Sequence, residues 1–224
     1  MSYYLPRMDS PTSDSHPWAT VGMGKGGDYT WFDPTAPIGQ GWSLHLPHWR
    51  QRGAIYFVTF RTADSIPAPV LAQWKRERAE WLAAHPEPHD AATTSEYHRR
   101  FTERMHRFLD ECHGDCPFRS EELRQCVVQV LTYRDGTDDE GYALDGYVVM
   151  PNHAHVLVAP RGEALLSEIC KTWKSVTAHS VNRLLGRRGT FWQEESWDHI
   201  VRSADHLERY RRYIVENPKR LPRA

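Results

Sequence analysis

Two stretches of this chain hold residues whose types and spacing suit chemistry. In "MPNHAHVLVAP", residues 150–160, His153 and His155 interrupt an apolar run directly after a Pro-Asn pair. Strand side chains alternate faces, so both imidazoles point one way while Ala154 and Val156 point the other. Two neutral imidazoles at this spacing suit a divalent metal, and burial favours their neutral, ligating form. A pair of hydrogen-bonded structural histidines on a sheet accounts for the same residues equally well. The second stretch is "RYIVENPKR", residues 212–220. Tyr213 and Asn217 are four apart, which puts them on one helix face about 5–6 Å from each other. An amide oxygen there can complete a metal site with the phenol beside its open position. Taken alone, Tyr213 also fits an amphipathic core position, and Asn217 a helix end before Pro218.

The elements that must position these residues follow from periodicity. "YALDGYVVM" and "HAHVLVAP" read as an antiparallel strand pair. "GAIYFVTFRTAD", residues 53–64, is β-branched and aromatic and predicts a third strand. Asp64 or Ser65 then caps a helix with Leu71, Trp74, Trp81 and Leu82 on one face. After "PEPHD" a second helix carries Tyr97, Phe101, Met105, Phe108 and Cys112 as a core stripe. Ser120 begins another, with Leu123, Val127 and Leu131 inward, running to Arg134. Ser167–Leu185 is helical by period, with Ile169, Trp173, Val176 and Val181 inward. "TFWQEESWDHIVR" is extended; its Trp192 is expected to pack, and Gln193 stays open between packing and ligand contact. "SADHLERYRRYIVEN" is a last helix stopped by Pro218. Strand, helices, strand, strand, helix, strand, helix is an α+β order, with helices laid on an antiparallel sheet.

Composition bounds the classes. A chain of 224 residues with 40% apolar and 12% aromatic content, including 9 Trp, builds one core with an appendage. No run approaches the roughly 18 apolar residues of a membrane span. "MSYYLPRMDSPTSDSHPW" lacks the order of a secretory signal, so a soluble, cytoplasmic protein is expected. Residues 1–43 show neither period and read as a loop-rich extension, with Trp18, Trp31, Phe32 and Trp42 able to pack on the domain at 44–224. Its "GMGKGG" lacks the Ser or Thr and the spacing of a phosphate-binding loop. Cys112, Cys116, Cys126 and Cys170 are read as free thiols, since "CHGDC" has no second half-site for zinc with His106 or His113. Charge divides unevenly. Residues 1–160 hold 15 Lys and Arg against 21 Asp and Glu, whereas residues 161–224 hold 13 against 8. A polyanion would dock on the C-terminal third, although a solvated basic face explains the charge as well.

"MPNHAHVLV", followed some sixty residues later by "RYIVENPKR", closely resembles the REP-associated tyrosine transposases. These are single-tyrosine transposases of the histidine-hydrophobe-histidine (HUH) superfamily. "LPHWRQRGAIYFVTFRTAD" and "KTWKSVTAHSVNRLLGRRGTFWQEESWDHIVR" extend the likeness to roughly residues 44–220. The resemblance implies a ferredoxin-like antiparallel sheet with helices packed on it, metal ligands His153, His155 and Asn217, and Tyr213 as nucleophile. Ala154 departs from the bulkier hydrophobe that the motif favours, but it faces away from the pair. The implied activity is that of a DNA transposase that cleaves and rejoins single-stranded, hairpin-forming REP-like DNA through a 5′-phosphotyrosine. The implied cofactor is magnesium, with manganese as substitute. Lys171, Lys174, Arg209, Arg212, Lys219 and Arg220, together with Arg211 and Arg223, are basic candidates for DNA phosphates. A hairpin-binding regulator that does not cut, and a metal phosphodiesterase that activates water, are the competing readings. Monomer and dimer both stay open.

Overall fold

The computed structural model describes residues 16–221 except 28, 34, 36–38, 44–45, 87–88 and 137–140; side chains at 39–50 and 91 are also outside the description. Trp42 and Arg223 therefore fall outside it.

The centre of the molecule is a five-stranded sheet in the order β1-β5-β6-β4-β7, antiparallel throughout. The strands are β1 (Thr20–Met23), β4 (Tyr56–Arg61), β5 (Tyr142–Val149), β6 (His153–Pro160) and β7 (Trp197–Ile200). A separate hairpin pairs β2 (Gly39–Ser43) with β3 (Leu46–Arg50). Setting β1 aside, the remaining strands run second, third, first, fourth along the sheet, with helices crossing over from β4 to β5 and from β6 to β7. This is the ferredoxin-like order expected from the sequence. Strand β4 is buried over its whole length because β6 and β7 flank it and helices cover both faces.

The helices are α1 (Ala68–Ala84), α2 (Ala91–Tyr97), α3 (Glu103–Asp110), α4 (Glu121–Tyr133), α5 (Leu166–Leu184) and α6 (Ala204–Glu216). One face of the sheet, with Ala154, Val156 and Val158, packs on Leu123, Val127 and Leu131 of α4 and Ile169, Trp173 and Val181 of α5. The opposite face, with Phe57 and Leu157, packs on Leu207 and Ile214 of α6 and on Trp18 and Trp31. A third cluster unites Trp74 and Trp81 of α1 with Phe101, Met105 and Leu109, and Trp197 of β7 packs against it.

Several local expectations change. Residues 20–23, read as part of a loop-rich arm, add a strand to the edge of β5, a pairing that four residues without clear alternation cannot announce. Lys25 of "GMGKGG" is bound into the fold, its N–H donating to Asp135 Oδ2 at 2.8 Å. Helix α1 starts after Pro67 with no side-chain cap; Asp64 instead accepts the Asp115 N–H at 2.8 Å. The predicted second helix is broken by a π-helical turn at His98–Thr102 and ends at Asp110, leaving Cys112 beyond it. Val176 is 46% exposed. The stripe 169, 173, 177, 181 keeps the α5 period, so Thr177 takes the inward place and its hydroxyl accepts from Trp192 Nε1 at 2.8 Å. Helix α6 ends at Glu216, and the chain then turns once more as a 3-10 helix, Asn217–Arg220, that includes Pro218. All four cysteines are free thiols. Among the described residues no helix is long and apolar enough to cross a membrane.

Candidate active site

The two-residue turn Pro151–Asn152 delivers the histidines, closed by the Met150 N–H donating to His153 O at 2.8 Å. Its own groups are held in turn: Phe118 N donates to Pro151 O at 3.0 Å and Thr62 N to Asn152 O at 2.8 Å. With the turn fixed, alternation places His153 and His155 on the α6 face, opposite Arg61 and Thr59 of β4. Both imidazoles are fully buried, with ring centroids 4.7 Å apart.

Each ring is oriented through its Nδ1. His153 Nδ1–H donates to Asn152 Oδ1 at 2.8 Å, and Asn152 Nδ2 donates to His113 O at 2.8 Å. That tautomer leaves the Nε2 lone pair of His153 free, and the atom has no hydrogen-bond partner. His155 Nδ1 is 2.7 Å from Thr59 Oγ1, and its Nε2 is 3.4 Å from the Tyr213 hydroxyl. Burial, reinforced by neighbouring His106 and Arg61, pushes the His153 pKa down to about 3. Burial and the nearby His153 and His106 hold His155 well below its ordinary value. Both rings are therefore neutral at neutral pH, the form able to ligate a metal.

Helix α6 brings the tyrosine. Ser203 caps it by accepting the His206 N–H at 3.2 Å. Three contacts seat it: Leu207 and Ile214 in the core, Tyr210 stacked on Phe57 at 4.1 Å, and Arg211 clamped on Asp145 of β5. The clamp is bidentate, Nε to Oδ2 at 2.8 Å and Nη2 to Oδ1 at 2.5 Å, and Tyr29 also donates to Asp145 Oδ1 at 3.1 Å. Arg211 is therefore a buried anchor, and the expectation that it tracks phosphates is withdrawn. With the helix so fixed, Tyr213 meets His155 edge-on at 5.1 Å and lies 5.5 Å from His106. Burial, and then Asp110, push its phenol pKa up, against the opposing effect of Arg220.

One turn on, Asn217 is fully buried, and neither its Oδ1 nor its Nδ2 has a hydrogen-bond partner. Its amide bears on the Tyr213 phenol and the Asp110 carboxyl without meeting hydrogen-bond geometry with either. An orphaned imidazole nitrogen, an orphaned amide and a second neutral imidazole beside a phenol form the donor set a divalent cation would take, so the residues present fit a metal. Among the described residues no group of three His, Cys, Asp or Glu could hold one, so the amide is the distinguishing member of the set.

Sequence reading missed much of the surround. His106 and Asp110 lie four apart on α3, a spacing visible in the sequence but masked by the adjacent apolar stripe. His106 is half-buried, and desolvation of its ring, with Arg220, pushes its pKa down to about 4. Burial pushes the Asp110 pKa up to about 6, with Arg220 opposing. Arg220 links them, its guanidinium 4.8 Å over the Tyr213 ring and Nη1 3.5 Å from Asp110 Oδ2. Arg209, Arg212 and Lys219 are exposed on α6 and the turn after it. Lys171 and Lys174 stand on α5, whose apolar side covers the other face of the sheet. Lys174 Nζ donates to Glu194 O at 2.5 Å. Trp192 is buried and edge-on to Phe60, and Gln193 Nε2 donates to Ala63 O at 2.6 Å, so both hold the fold.

The family model "Transposase IS200 like" matches residues 122–217, from α4 to the asparagine. No curated protein sequence matches the chain. Among solved structures it is similar to a REP-associated tyrosine transposase bound to a REP hairpin, with 16% identity, 78% of this chain and 73% of that chain covered, and a TM-score of 0.40. It is also similar to a protein of Deinococcus radiodurans described as a transposase, with 13% identity, 81% and 98% covered, and a TM-score of 0.30. The stretch that carries both histidines, Tyr213 and Asn217 lies within the segment similar to the IS200-like transposase family.

Proposed function

We propose that this protein is a divalent-metal-dependent transposase that cleaves and rejoins single-stranded, hairpin-forming DNA through a 5′-phosphotyrosine on Tyr213. The observation that carries the reading is the meeting of strand and helix, with the Tyr213 hydroxyl 3.4 Å from His155 Nε2 beside the orphaned His153 Nε2 and Asn217 amide. In the reaction the Tyr213 oxygen bonds to phosphorus, the bond to the 3′-oxygen breaks, and that oxygen leaves with a proton. A free 3′-OH reverses the step and joins strands without a nucleotide cofactor.

His153, His155 and Asn217 would hold the cation, magnesium with manganese as substitute. When bound, it neutralises the non-bridging oxygens and favours the phenolate. The remaining work belongs to the chain. Asn152 and Thr59 keep the imidazoles in place through their Nδ1 atoms. Tyr210 and Arg211 hold the nucleophile's helix against the sheet, which converts attack into a positioned, unimolecular event. Arg209, Arg212, Lys219 and Arg220 offer phosphate contacts along the same edge, and Lys171 and Lys174 would serve a strand that wraps past β7.

The test is incubation with labelled single-stranded hairpin oligonucleotides from repeats flanking the coding sequence, with magnesium or manganese. A covalent adduct resolved on a denaturing gel is expected from the wild type and absent from Tyr213→Phe. Cleavage that survives in Tyr213→Phe without an adduct would identify a water-activating phosphodiesterase. Tight binding with no cleavage would identify a regulator.

A further inference from the structure

Arg61 ends β4, pairs in register with His153, and shares the face of the two histidines. Its side chain is buried, with 5% of the residue exposed. A buried guanidinium ordinarily ends on a carboxylate, because an unpaired charge in a low dielectric is costly. Arg211 obeys that rule on Asp145. Arg61 does not: among the described residues no carboxylate lies within ion-pair distance of it. Its Nη1 donates to Ser65 Oγ at 3.3 Å, and its guanidinium carbon sits 5.2 Å from the Trp197 ring centre. Glu195 acts on it only from a distance and pairs with Lys75 at 3.7 Å. Among the described residues Nε and Nη2 have no hydrogen-bond partner. Burial lowers the Arg61 pKa only to about 10, so the group stays cationic at neutral pH. A preformed cation with free, forked donors beside a metal-type histidine suits one class of ligand, the non-bridging oxygens of a phosphodiester.

We propose that Arg61 is a catalytic residue of strand transfer, its guanidinium binding a non-bridging oxygen of the scissile phosphate and neutralising the charge that develops there. The assignment rests on the reading of the site as a phosphodiester-transfer centre. Ser65 and Trp197 hold the group in place, so it is already oriented when substrate arrives, and its burial makes its charge count for more than it would in bulk water.

The experiment compares a hairpin oligonucleotide with the same oligonucleotide bearing a methylphosphonate at the scissile linkage, which removes the negative non-bridging oxygen. Arg61→Gln should slow single-turnover adduct formation about 100-fold on the phosphodiester. On the methylphosphonate, wild type and variant should differ by less than about 3-fold, because the guanidinium has no charge left to meet. Equal slowing on both substrates, or none on either, overturns the proposal in favour of a packing role. Arg61→Lys guards against a folding failure in the Gln variant, and thermal unfolding is followed for both. The Lys variant should lose about 10-fold on the phosphodiester and again match wild type on the methylphosphonate. A wild type that binds without cleaving sinks the transfer reading separately. The same oligonucleotide pair, read by affinity, then decides Arg61: preference for the charged linkage in the wild type but not in Arg61→Gln supports it, and equal preference overturns it. Absence of any binding by the wild type overturns both.

Discussion

The two faces of β6 hold opposite kinds of residue. Toward α4 and α5, Ala154, Val156 and Val158 pack into a largely apolar layer. Both buried indole N–H groups in that layer are satisfied: Trp173 Nε1 donates to the Tyr142 hydroxyl at 2.9 Å, and Trp192 Nε1 to Thr177, while Thr62 Oγ1 beyond the end of β4 is buried without a partner. Toward α6, the same strand presents His153 and His155, and near them His153 Nε2, both amide atoms of Asn217 and Asp110 Oδ1 are buried without partners. Each such atom costs on the order of 1–3 kcal/mol. One face stabilises the fold; the other gives up stability to keep donors ready for a ligand.

That contrast can be broken in graded ways. The largest effect is expected at the nucleophile, where Tyr213→Phe should remove adduct formation by at least about 10⁴-fold while the unfolding midpoint moves by no more than about 2 °C. A large loss of stability would mean that the tyrosine belongs to the packing instead. Next is the buried ion pair that seats α6 on the sheet. Arg211→Ala strands buried Asp145 and should cost about 3–5 kcal/mol in urea unfolding; a cost below about 1 kcal/mol would show that α6 is seated by its apolar contacts alone.

Matched substitutions on β6 address the comparison directly. Val156→Ala should destabilise by roughly 2 kcal/mol without changing affinity for manganese. His153→Leu should leave stability unchanged or raise it by about 1 kcal/mol and remove manganese binding in a calorimetric titration. Equal destabilisation by both would erase the division of labour.

The smallest effect is a slope with pH. Burial, with His98 and His106 nearby, pushes the His199 pKa down to about 3, below the unfolded value near 6.5. The folded state then binds fewer protons than the unfolded one between those values. The contribution is present above about pH 6.5 and is lost as pH falls toward 3. His199→Phe should flatten the decline in urea midpoint between pH 7 and pH 5; an unchanged slope would assign the acid sensitivity to other histidines.

Much of the fold is legible from local pattern. The alternation in "YALDGYVVM" and "HAHVLVAP" gave β5 and β6 to within a residue or two, and the α5 and α6 periods held because their stripes are long. Strand β1 was not legible, since four residues, one of them a glycine, carry no alternation and gain their pairing only from the open edge of β5. Nor was the π-helical turn, where Phe101 stays buried although the helical hydrogen-bond pattern changes. In the site, residue type could not separate Arg211, an anchor on Asp145, from Arg209 and Arg212, which face solvent.

By itself, the sequence determined that His153 and His155 share one face of a strand and that Tyr213 and Asn217 share one face of a helix, because those relations depend only on backbone periods. The tertiary structure decided that the two faces meet, that Asp110, His106 and Arg220 close around the phenol, and that Arg61 arrives beside His153 with no carboxylate among the described residues to meet it. Such contacts arise from register between distant strands and from the seating of α6 on β5 and β6. They depend on complementary surfaces far apart in the chain, which no local period encodes.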